Sequence, residues 1–282
     1  LDPGCDVWIE DWEQLYRAAG GCPPGARAFD LARRVRLARE SRWRQFRAKL
    51  WRDWTRFERR EHPYGLQIME RSLGDQALRN LLADPDASFP GPERVLKNGN
   101  TCTVWDIEAG ERRLVVKRYN INSPWHGLKL SLRRGRAFAS WEAAQRLAFF
   151  GIATPRPVAL VRLQRGRWRP LAYYVSEYLP GPDAQSWFGD PAVDWDAKQV
   201  MAGRIADLLA QLKAQGLAHG DLKATNFLIG PDGPVLIDLD ALRHYPGRGF
   251  ARAWRNDLAR FARNWAAHPE LTELFAGHLA PL

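Results

Sequence analysis

The strongest constraint on the fold is the spacing of polar residues around one short predicted hairpin in the last third of the chain. His219-Gly220-Asp221 opens a loop, and Asn226 follows five residues after the aspartate. Phe227–Ile229 and Val235–Leu239 read as two short strands joined by a Pro-Asp-Gly turn. Asp238 lies in the second of them. A plain strand–turn–strand with surface aspartates is the alternative, but an element further upstream agrees with this one in order and spacing.

Phosphoryl transfer explains why these residue types stand at these spacings. The reaction needs a carboxylate beside the attacking hydroxyl, and oxygen ligands that hold Mg²⁺ across the β- and γ-phosphates. The segment resembles the kinase catalytic loop H-R-D-x-x-x-x-N and the metal-binding D-F-G. The resemblance implies that Asp221 is the base or orients the hydroxyl, and that Lys223 contacts the γ-phosphate. Asn226 and Asp238 then hold the metal, and His219 supports the loop by packing.

A lysine on the third predicted strand supplies the upstream element. The run Leu-Val-Val-Lys that ends at Lys117 is similar to the kinase V-A-I-K, whose lysine contacts the α- and β-phosphates. Such a lysine needs a carboxylate on the following helix. Glu142 is the only acidic residue between Lys117 and Glu177, so we expect the pair Lys117–Glu142. An edge-strand lysine and a solvated helix charge are the alternatives.

Two backbone segments complete the predicted nucleotide site. The glycine loop G-x-G-x-x-G-x-V is only partly present, because Gly99 alone matches when Val104 takes the place of its valine. Gly99 and Asn100 therefore either turn over the phosphates or form an ordinary hairpin turn. Glu177 and Tyr178 follow the fifth predicted strand, where kinases place the hinge whose backbone pairs with adenine.

The residues around Asp238 narrow the type of kinase. Gly220 stands where H-R-D has an arginine that pairs with a phosphorylated activation loop. Only eighteen residues separate Asp238 from Asp257, and they contain no A-P-E motif. Both features argue against gating by phosphorylation and against a peptide acceptor, and they favour a small-molecule or glycan acceptor. Asp257 resembles the aspartate that braces the catalytic loop through backbone N–H groups.

Apolar periodicity divides the chain near residue 90. Residues 28–60 and Gln67–Leu82 read as helices, and a breaker-rich segment at 84–92 follows them. The elements predicted after it are the strands Arg94–Lys97, Cys102–Glu108 and Arg113–Tyr119, a helical stretch Trp125–Phe150 broken near Gly135, the strands Val158–Leu163 and Ala172–Tyr178, and helices at 196–216 and Asp257–Phe275.

This element order predicts the fold class. Five strands with one helix after the third is the order of a kinase small lobe. We therefore predict an α+β, two-lobed protein-kinase-like fold. Its parts are a basic helical N-terminal extension at 1–90 and a kinase-like domain at 91–282, with a small lobe at 91–180 and a large lobe at 181–282.

Positive charge is concentrated in one segment. The formal net charge is +10, and residues 27–60 hold thirteen basic and four acidic residues. Such a basic patch usually binds an anionic partner, and the candidates are a nucleic acid, a membrane surface and an acidic substrate. No nucleic-acid-binding motif accompanies these arginines, so we expect no nucleic-acid partner. The apolar residues of the segment recur at near-helical spacing, which indicates that one face of the helix packs inward.

Cysteines and hydropathy point to a reducing compartment. The three cysteines are widely spaced and form no C-x-x-C, which argues against a disulfide framework or a zinc site. No run approaches the roughly 18 apolar residues of a membrane-spanning helix, and no secretory signal pattern is present. We expect a cytoplasmic protein.

Four stretches together resemble the Kdo/WaaP lipopolysaccharide kinase family over roughly residues 93–265: 114–120, 151–157, 178–182 and 219–227. The resemblance implies that ATP, with Mg²⁺, phosphorylates a hydroxyl of heptose or Kdo in the lipopolysaccharide inner core. The acceptor is then this core or another lipid-linked glycan, met at the cytoplasmic face of the inner membrane with peripheral contact to anionic lipid.

Two other functions remain open at this point. One is a small-molecule kinase of the aminoglycoside or choline type, although cationic substrates fit poorly with the basic segment. The other is a non-catalytic pseudokinase that serves as a binding module, and the incomplete glycine loop supports it.

Overall fold

The computed structural model of the chain describes residues 31–62, 65–120, 135–164 and 170–282. Within these ranges the α-helices are α1 Leu31–Lys49, α2 Gln76–Ala83, α3 Arg136–Phe150, α4 Ala184–Gly189, α5 Trp195–Ala214, α6 Gly249–Ala262 and α7 Pro269–Leu279. The strands are β1 Phe57–His62, β2 Gly65–Glu70, β3 Val95–Asn98, β4 Cys102–Ala109, β5 Arg112–Tyr119, β6 Pro157–Gln164, β7 Pro170–Glu177, β8 Leu217–Ala218, β9 Phe227–Gly230, β10 Gly233–Leu236 and β11 Arg243–His244.

Seven antiparallel strands form the main sheet in the order β1-β2-β6-β7-β5-β4-β3. The five strands predicted between residues 94 and 178 all occur, with ends within two residues of those expected. Side chains alternate along β5, as in any strand. Leu114 and Val116 are buried on one face of the sheet together with Leu78 of α2. Lys117 and Tyr119 therefore lie on the opposite face, which is the face that holds the site.

Residues 57–62 and 65–70 form two strands, where the sequence predicted the end of one helix and the start of the next. β1 pairs with β2, and β2 pairs with β6, which lies about ninety residues later in the sequence. Phe57 and Ile68 are fully buried. The predicted first helix is α1, which ends at Lys49, and the predicted second helix begins only at Gln76. Pairing with a distant strand has overridden the local pattern here. Of the predicted helical extension, the described residues 57–62 and 65–70 are therefore strands of the main sheet, and the division of the chain at residue 90 stays a prediction.

The helices after β7 enclose a second part of the core. The predicted helix at 196–216 is α5, and its Ile205, Leu209 and Leu212 are buried. The predicted single helix at 257–275 is two helices, α6 and α7. Pro269 begins α7, a position where its missing N–H is tolerated. The second predicted hairpin strand ends at Leu236, because Asp238 adopts a left-handed backbone conformation with φ of 58°.

Helix α3 connects these parts. Its Trp141 is fully buried and contacts Phe57 of β1, with ring centroids 5.6 Å apart. Its C-terminal Phe150 packs on Trp43 of α1 at 6.2 Å. Of the predicted stretch Trp125–Phe150, residues 121–134 lie outside the described part of the chain. No helix among the described residues is both long and apolar enough to cross a bilayer.

Candidate active site

A cleft of about 600 Å³ lies between the sheet and the loops that flank β9 and β10. This volume is typical of sites for small molecules and cofactors. The apolar lining comes from both sides and the polar groups converge in the same cleft. The lining includes Leu96, Val104, Val115, Leu228 and Ile237 among apolar residues, and Lys117, Asn226, Asp238 and Asp240 among polar ones.

Asp257 holds the start of the catalytic loop. Both of its carboxylate oxygens accept a hydrogen bond from the Gly220 backbone N–H, each at 3.0 Å, and the side chain is buried in α6. Gly220 has a φ of 80°, and a Cβ there would stand 2.8 Å from the carbonyl oxygen of Ala241. A glycine is required by this conformation and by this close approach. The arginine of H-R-D therefore has no room in this loop.

Asp221 has a cation beside each carboxylate oxygen. Lys223 Nζ donates to its Oδ2 at 2.9 Å, and Arg260 Nε of α6 lies 3.7 Å from its Oδ1. The Asp221 side chain is 38% exposed, so an acceptor hydroxyl can reach it. Asn226 Nδ2 donates to the Asp221 carbonyl oxygen at 2.8 Å. This bond engages the amide nitrogen of Asn226 and leaves its side-chain oxygen available as an acceptor or metal ligand.

His219 is a packing residue by its geometry. It is fully buried, and its Nε2 donates to the Ile237 carbonyl oxygen at 3.0 Å. Burial lowers the pKa of His219, so the ring is neutral at pH 7. The bond connects the catalytic loop to the segment that carries Asp238.

Lys117 points at two aspartates in the cleft. Its Nζ donates to Asp238 Oδ1 at 2.6 Å and to Asp240 Oδ1 at 2.7 Å. Burial alone lowers the pKa of Lys117, but the two carboxylates outweigh it and hold the pKa above the ordinary value. For Asp238, burial acts to raise the pKa and the charge of Lys117 lowers it, with a lowered pKa as the result. Both groups are charged at pH 7.

The predicted pair Lys117–Glu142 does not form. Glu142 Oε1 accepts a hydrogen bond from Arg47 Nε of α1 at 2.5 Å. Ser140, on the same helix, donates its hydroxyl to Asp240 Oδ1 at 2.7 Å. Two residues along an α-helix differ by about 200° of rotation. Since Ser140 faces the cleft, Glu142 faces α1 on the other side of α3.

The hairpin between β3 and β4 carries Gly99 and Asn100. Gly99 N–H donates to the Cys102 carbonyl oxygen at 3.0 Å, which closes an ordinary hairpin turn. Neither residue lines the cleft, whereas Lys97, at the end of β3, does. The predicted contact of Gly99 and Asn100 with phosphate stays a prediction.

Glu177 and Tyr178 line the cleft where β7 ends. Their backbone N–H groups donate to the carbonyl oxygens of Arg156 and Arg113, each at 3.0 Å. The Arg113 guanidinium also lies over the Tyr178 ring, 3.8 Å from its centroid. Because both N–H groups are already bonded within the chain, a contact of these two residues with adenine rests on their carbonyl oxygens.

Several site residues carry no strong sequence signal. Tyr119 and Asp240 each stand two residues after a recognised position, Lys117 and Asp238, and this spacing is the one signal that points to them. Lys97 Nζ lies 3.8 Å from Asp238 Oδ2 only because β3 folds over the cleft. The residues that sequence reasoning missed are Lys97, Tyr119, Ser140, Asp240 and Arg260.

Asn226 and Asp238 fit a magnesium ion that is shared with a nucleotide. Within the described residues no cluster of three or more His, Cys, Asp and Glu side chains is suited to hold a metal by itself. Mg²⁺ in kinases needs no such cluster, since one or two protein oxygens and the phosphates of the nucleotide complete its shell. Asn226 and Asp238 both line the cleft and supply oxygen donors of this kind.

Comparisons with known proteins bear on the fold and on the family of the chain. Among solved structures, the chain matches "WaaP in complex with acyl carrier protein" with a TM-score of 0.51 and 21% identity, over 74% of this chain and 88% of that one. The match supports a kinase-like fold of mixed helix and sheet; the division into two lobes stays a prediction. A search of curated proteins finds no match.

The family model gives the more specific result. The model of the lipopolysaccharide kinase (Kdo/WaaP) family matches residues 94–274, well over half of the chain. The chain belongs to this family, and the resemblance inferred from its motifs is confirmed. Membership makes the protein a kinase and a phosphotransferase.

Proposed function

We propose that the protein transfers the γ-phosphate of ATP, with Mg²⁺, to a sugar hydroxyl of the lipopolysaccharide inner core, on heptose or Kdo. The observation that carries this proposal is the convergence of Lys117, Asn226 and Asp238 on one cleft, beside a loop that presents Asp221. Membership of a lipopolysaccharide kinase family supports the class of acceptor.

The residues of the cleft divide the work of phosphoryl transfer. Asp221 accepts the hydrogen bond of the acceptor hydroxyl and takes its proton as the new P–O bond forms, while the bond from the γ-phosphorus to the β,γ-bridging oxygen breaks and ADP leaves. Lys223, bound to Asp221, places a positive charge where the transferred phosphoryl group passes. Asn226 and Asp238 would hold the metal, which would neutralise the charge of the β- and γ-phosphates. Lys117 contacts the α- and β-phosphates from the sheet side.

Helix α1 supports an anionic acceptor. Trp43 and Leu50 are buried, whereas Arg42, Arg44 and Arg47 lie on exposed positions of the same region. The apolar stripe thus faces inward and these three arginines are exposed, whereas Arg39 is buried and Arg47 also bonds to Glu142. A basic surface beside an anionic membrane gains about 1 kcal/mol per well-placed Lys or Arg. We extend the proposal to peripheral contact with the cytoplasmic face of the inner membrane, where a lipid-linked acceptor is reached.

The alternatives differ in measurable ways. A kinase of the aminoglycoside or choline type acts on cations, which the basic helix α1 repels. A pseudokinase binds Mg-ATP but phosphorylates no glycan. The hairpin turn at Gly99 that replaces a full glycine loop is the feature that favours it.

The test is transfer of labelled γ-phosphate from ATP to dephosphorylated core lipopolysaccharide. We expect label in the glycan. In Asp221→Asn we expect the rate to fall by at least about 100-fold, the scale of a lost acid–base group. Asp232→Asn, an exposed aspartate in the turn between β9 and β10, is the matched control and keeps full activity. Activity that survives in Asp221→Asn contradicts its role. No label with intact Mg-ATP binding points first to another acceptor and then to a pseudokinase.

A further inference from the structure

Lys117 has lost the partner that a kinase lysine ordinarily has. In protein kinases that lysine pairs with a glutamate of the helix after it. Glu142 is the one acidic residue of α3, and it is bonded to Arg47 on the far side of the helix. The Lys117 side chain is only 12% exposed, so its charge still needs a fixed anion nearby.

Asp240 stands where that anion is needed. Its Oδ1 accepts hydrogen bonds from Lys117 Nζ, from the Tyr119 hydroxyl and from the Ser140 hydroxyl, each at 2.7 Å. Two of these donors lie on β5 and the third lies on α3. Asp240 itself lies in the short 3₁₀ turn Leu239–Ala241, directly after Asp238. One carboxylate therefore joins the strand, the helix and the metal-binding segment.

The bonds around Asp240 are those of a fixed acceptor. Burial and the charge of Asp240 raise the pKa of Tyr119 well above its ordinary value, so its hydroxyl remains a donor at physiological pH. Asp238 also contacts Lys117, but Asp238 is the residue placed to bind the metal. If Asp238 were engaged by a metal ion, Asp240 would be the carboxylate left to hold the ammonium group of Lys117.

We propose that Asp240 is the positioning residue for Lys117, in the part that the helix glutamate plays in other kinases, and that it does not bind the metal. The inference rests on the proposed use of ATP but is independent of the acceptor. It predicts that the interaction of Lys117 with phosphate depends on Asp240 and not on Glu142.

Nucleotide binding separates the two carboxylates. Calorimetry with ATP and with adenosine compares wild type, Asp240→Asn and Glu142→Gln, with and without Mg²⁺. We expect Asp240→Asn to weaken ATP binding about tenfold, the scale of one charge-assisted hydrogen bond, and to leave adenosine binding unchanged because Lys117 contacts only phosphates. Glu142→Gln should change neither. Weaker ATP binding in Glu142→Gln would mean that α3 rotates to bring Glu142 to Lys117. That result overturns the proposal.

The metal dependence tests the second half of the proposal. If Asp240 positions Lys117, the loss in Asp240→Asn occurs with and without Mg²⁺. A loss seen only with Mg²⁺, together with a higher Mg²⁺ concentration for half-maximal activity, makes Asp240 a metal ligand and overturns the proposal. Asp238→Asn is the comparison, and it is expected to show that metal-dependent pattern.

Covalent labelling of Lys117 needs neither nucleotide nor acceptor. An amine-acylating reagent is applied to the metal-free protein, and the modified peptide is quantified by mass spectrometry. We expect severalfold faster labelling of Lys117 in Asp240→Asn than in wild type or Glu142→Gln, because the ammonium group has lost one of its two anchors. Equal rates in all three contradict the proposal. If the wild-type protein transfers no phosphate to the glycan while these results hold, the proposed acceptor is wrong and the role of Asp240 stands.

A second variant covers the case in which Asp240→Asn does not fold. Asp240→Glu keeps the charge but moves it by one methylene. The double variant Ser140→Ala with Tyr119→Phe keeps Asp240 and removes two of the donors that fix its carboxylate. We expect the ATP affinity and the Lys117 labelling rate of Asp240→Glu to lie between those of wild type and of the double variant. Wild-type values in both variants overturn the proposal.

Discussion

Gly220 illustrates how tightly single residues constrain the loop that carries Asp221. Its φ of 80° is unfavourable for any residue with a Cβ, and the Ala241 carbonyl oxygen leaves no room for one. We expect Gly220→Ala to lower the free energy of unfolding by about 1–3 kcal/mol, the cost of a strained backbone position. Urea unfolding followed by circular dichroism measures this change. Activity falls as well, because Gly220 N–H is the group that Asp257 holds.

Gly277 in α7 provides the control for this prediction. A Cβ there meets nothing within 4 Å. Alanine is favoured over glycine in a helix by about 1 kcal/mol, so Gly277→Ala should keep or raise the stability. Equal unfolding free energies for wild type and Gly220→Ala would show that the loop relaxes without strain.

His219 makes the stability depend on pH. Burial lowers its pKa below the ordinary value of 6.5, so between these two values the unfolded chain binds a proton that the folded protein does not. Stability from this residue is fully present above the unfolded-state pKa and is lost as the pH falls below it. We expect the free energy of unfolding to drop from pH 7.5 to pH 5, and to drop less in His219→Gln. Burial also lowers the pKa of His244, so the difference between variant and wild type isolates His219.

The measurement is urea unfolding at several pH values. The Gln variant is less stable at pH 7.5, because the packed ring is lost, but the pH dependence is the informative quantity. Parallel curves for wild type and variant would show that His219 is protonated equally in both states.

At the scale of elements, the sequence predicted where strands lie better than it predicted which strands and side chains pair. β4 and β5 were predicted to within two residues of their observed ends. β1 was missed because its charges conceal the alternation. Glu58 lies buried in β1, and the hydrogen bond from Arg79 of α2, with Arg60, lowers its pKa to about 2. A charge neutralised by a residue twenty-one positions away leaves no local pattern to read.

The same limit explains the error over Lys117. Counting acidic residues left Glu142 as the only candidate in one interval of sequence, but the phase of α3 turns Glu142 away from the cleft. The actual partners, Asp238 and Asp240, follow more than 120 residues later. Motif spacing predicts which residues reach a site, and helix phase and chain crossing decide which of them pair.

Helix α1 carries a prediction of its own. Reversal of the exposed Arg42 and Arg44 to Glu should slow phosphorylation of lipopolysaccharide in anionic vesicles about tenfold or more, since each arginine near such a surface contributes on the order of 1 kcal/mol. The rate on a short soluble core sugar should stay unchanged. Reversal of Arg252 and Arg255, exposed on α6, is the control with equal charge. Equal losses on both substrates would assign α1 a packing role alone.

At the scale of the whole molecule, one core joins the segment before residue 90 to the catalytic part. Ile68 of β2, Trp141 of α3, Ile205 of α5 and Phe275 of α7 belong to a single buried cluster. Ile68 also pairs with Leu160 of β6, an interior strand of the same sheet. The described residues of this segment therefore share their core with the catalytic part, while the division of the chain at residue 90 stays a prediction.

This continuity predicts coupled unfolding. Ile68→Ala removes a fully buried side chain and should lower the free energy of unfolding by about 2–5 kcal/mol. Because the core is continuous, the loss of ATP binding and the loss of helical circular dichroism should shift together to lower urea concentration. Val200→Ala, at a 58% exposed position of α5, should change the stability by less than about 0.5 kcal/mol. If Ile68→Ala shifts the circular dichroism curve but leaves the ATP-binding curve in place, the segment before residue 90 folds as an independent unit, and the catalytic part does not depend on β1 and β2.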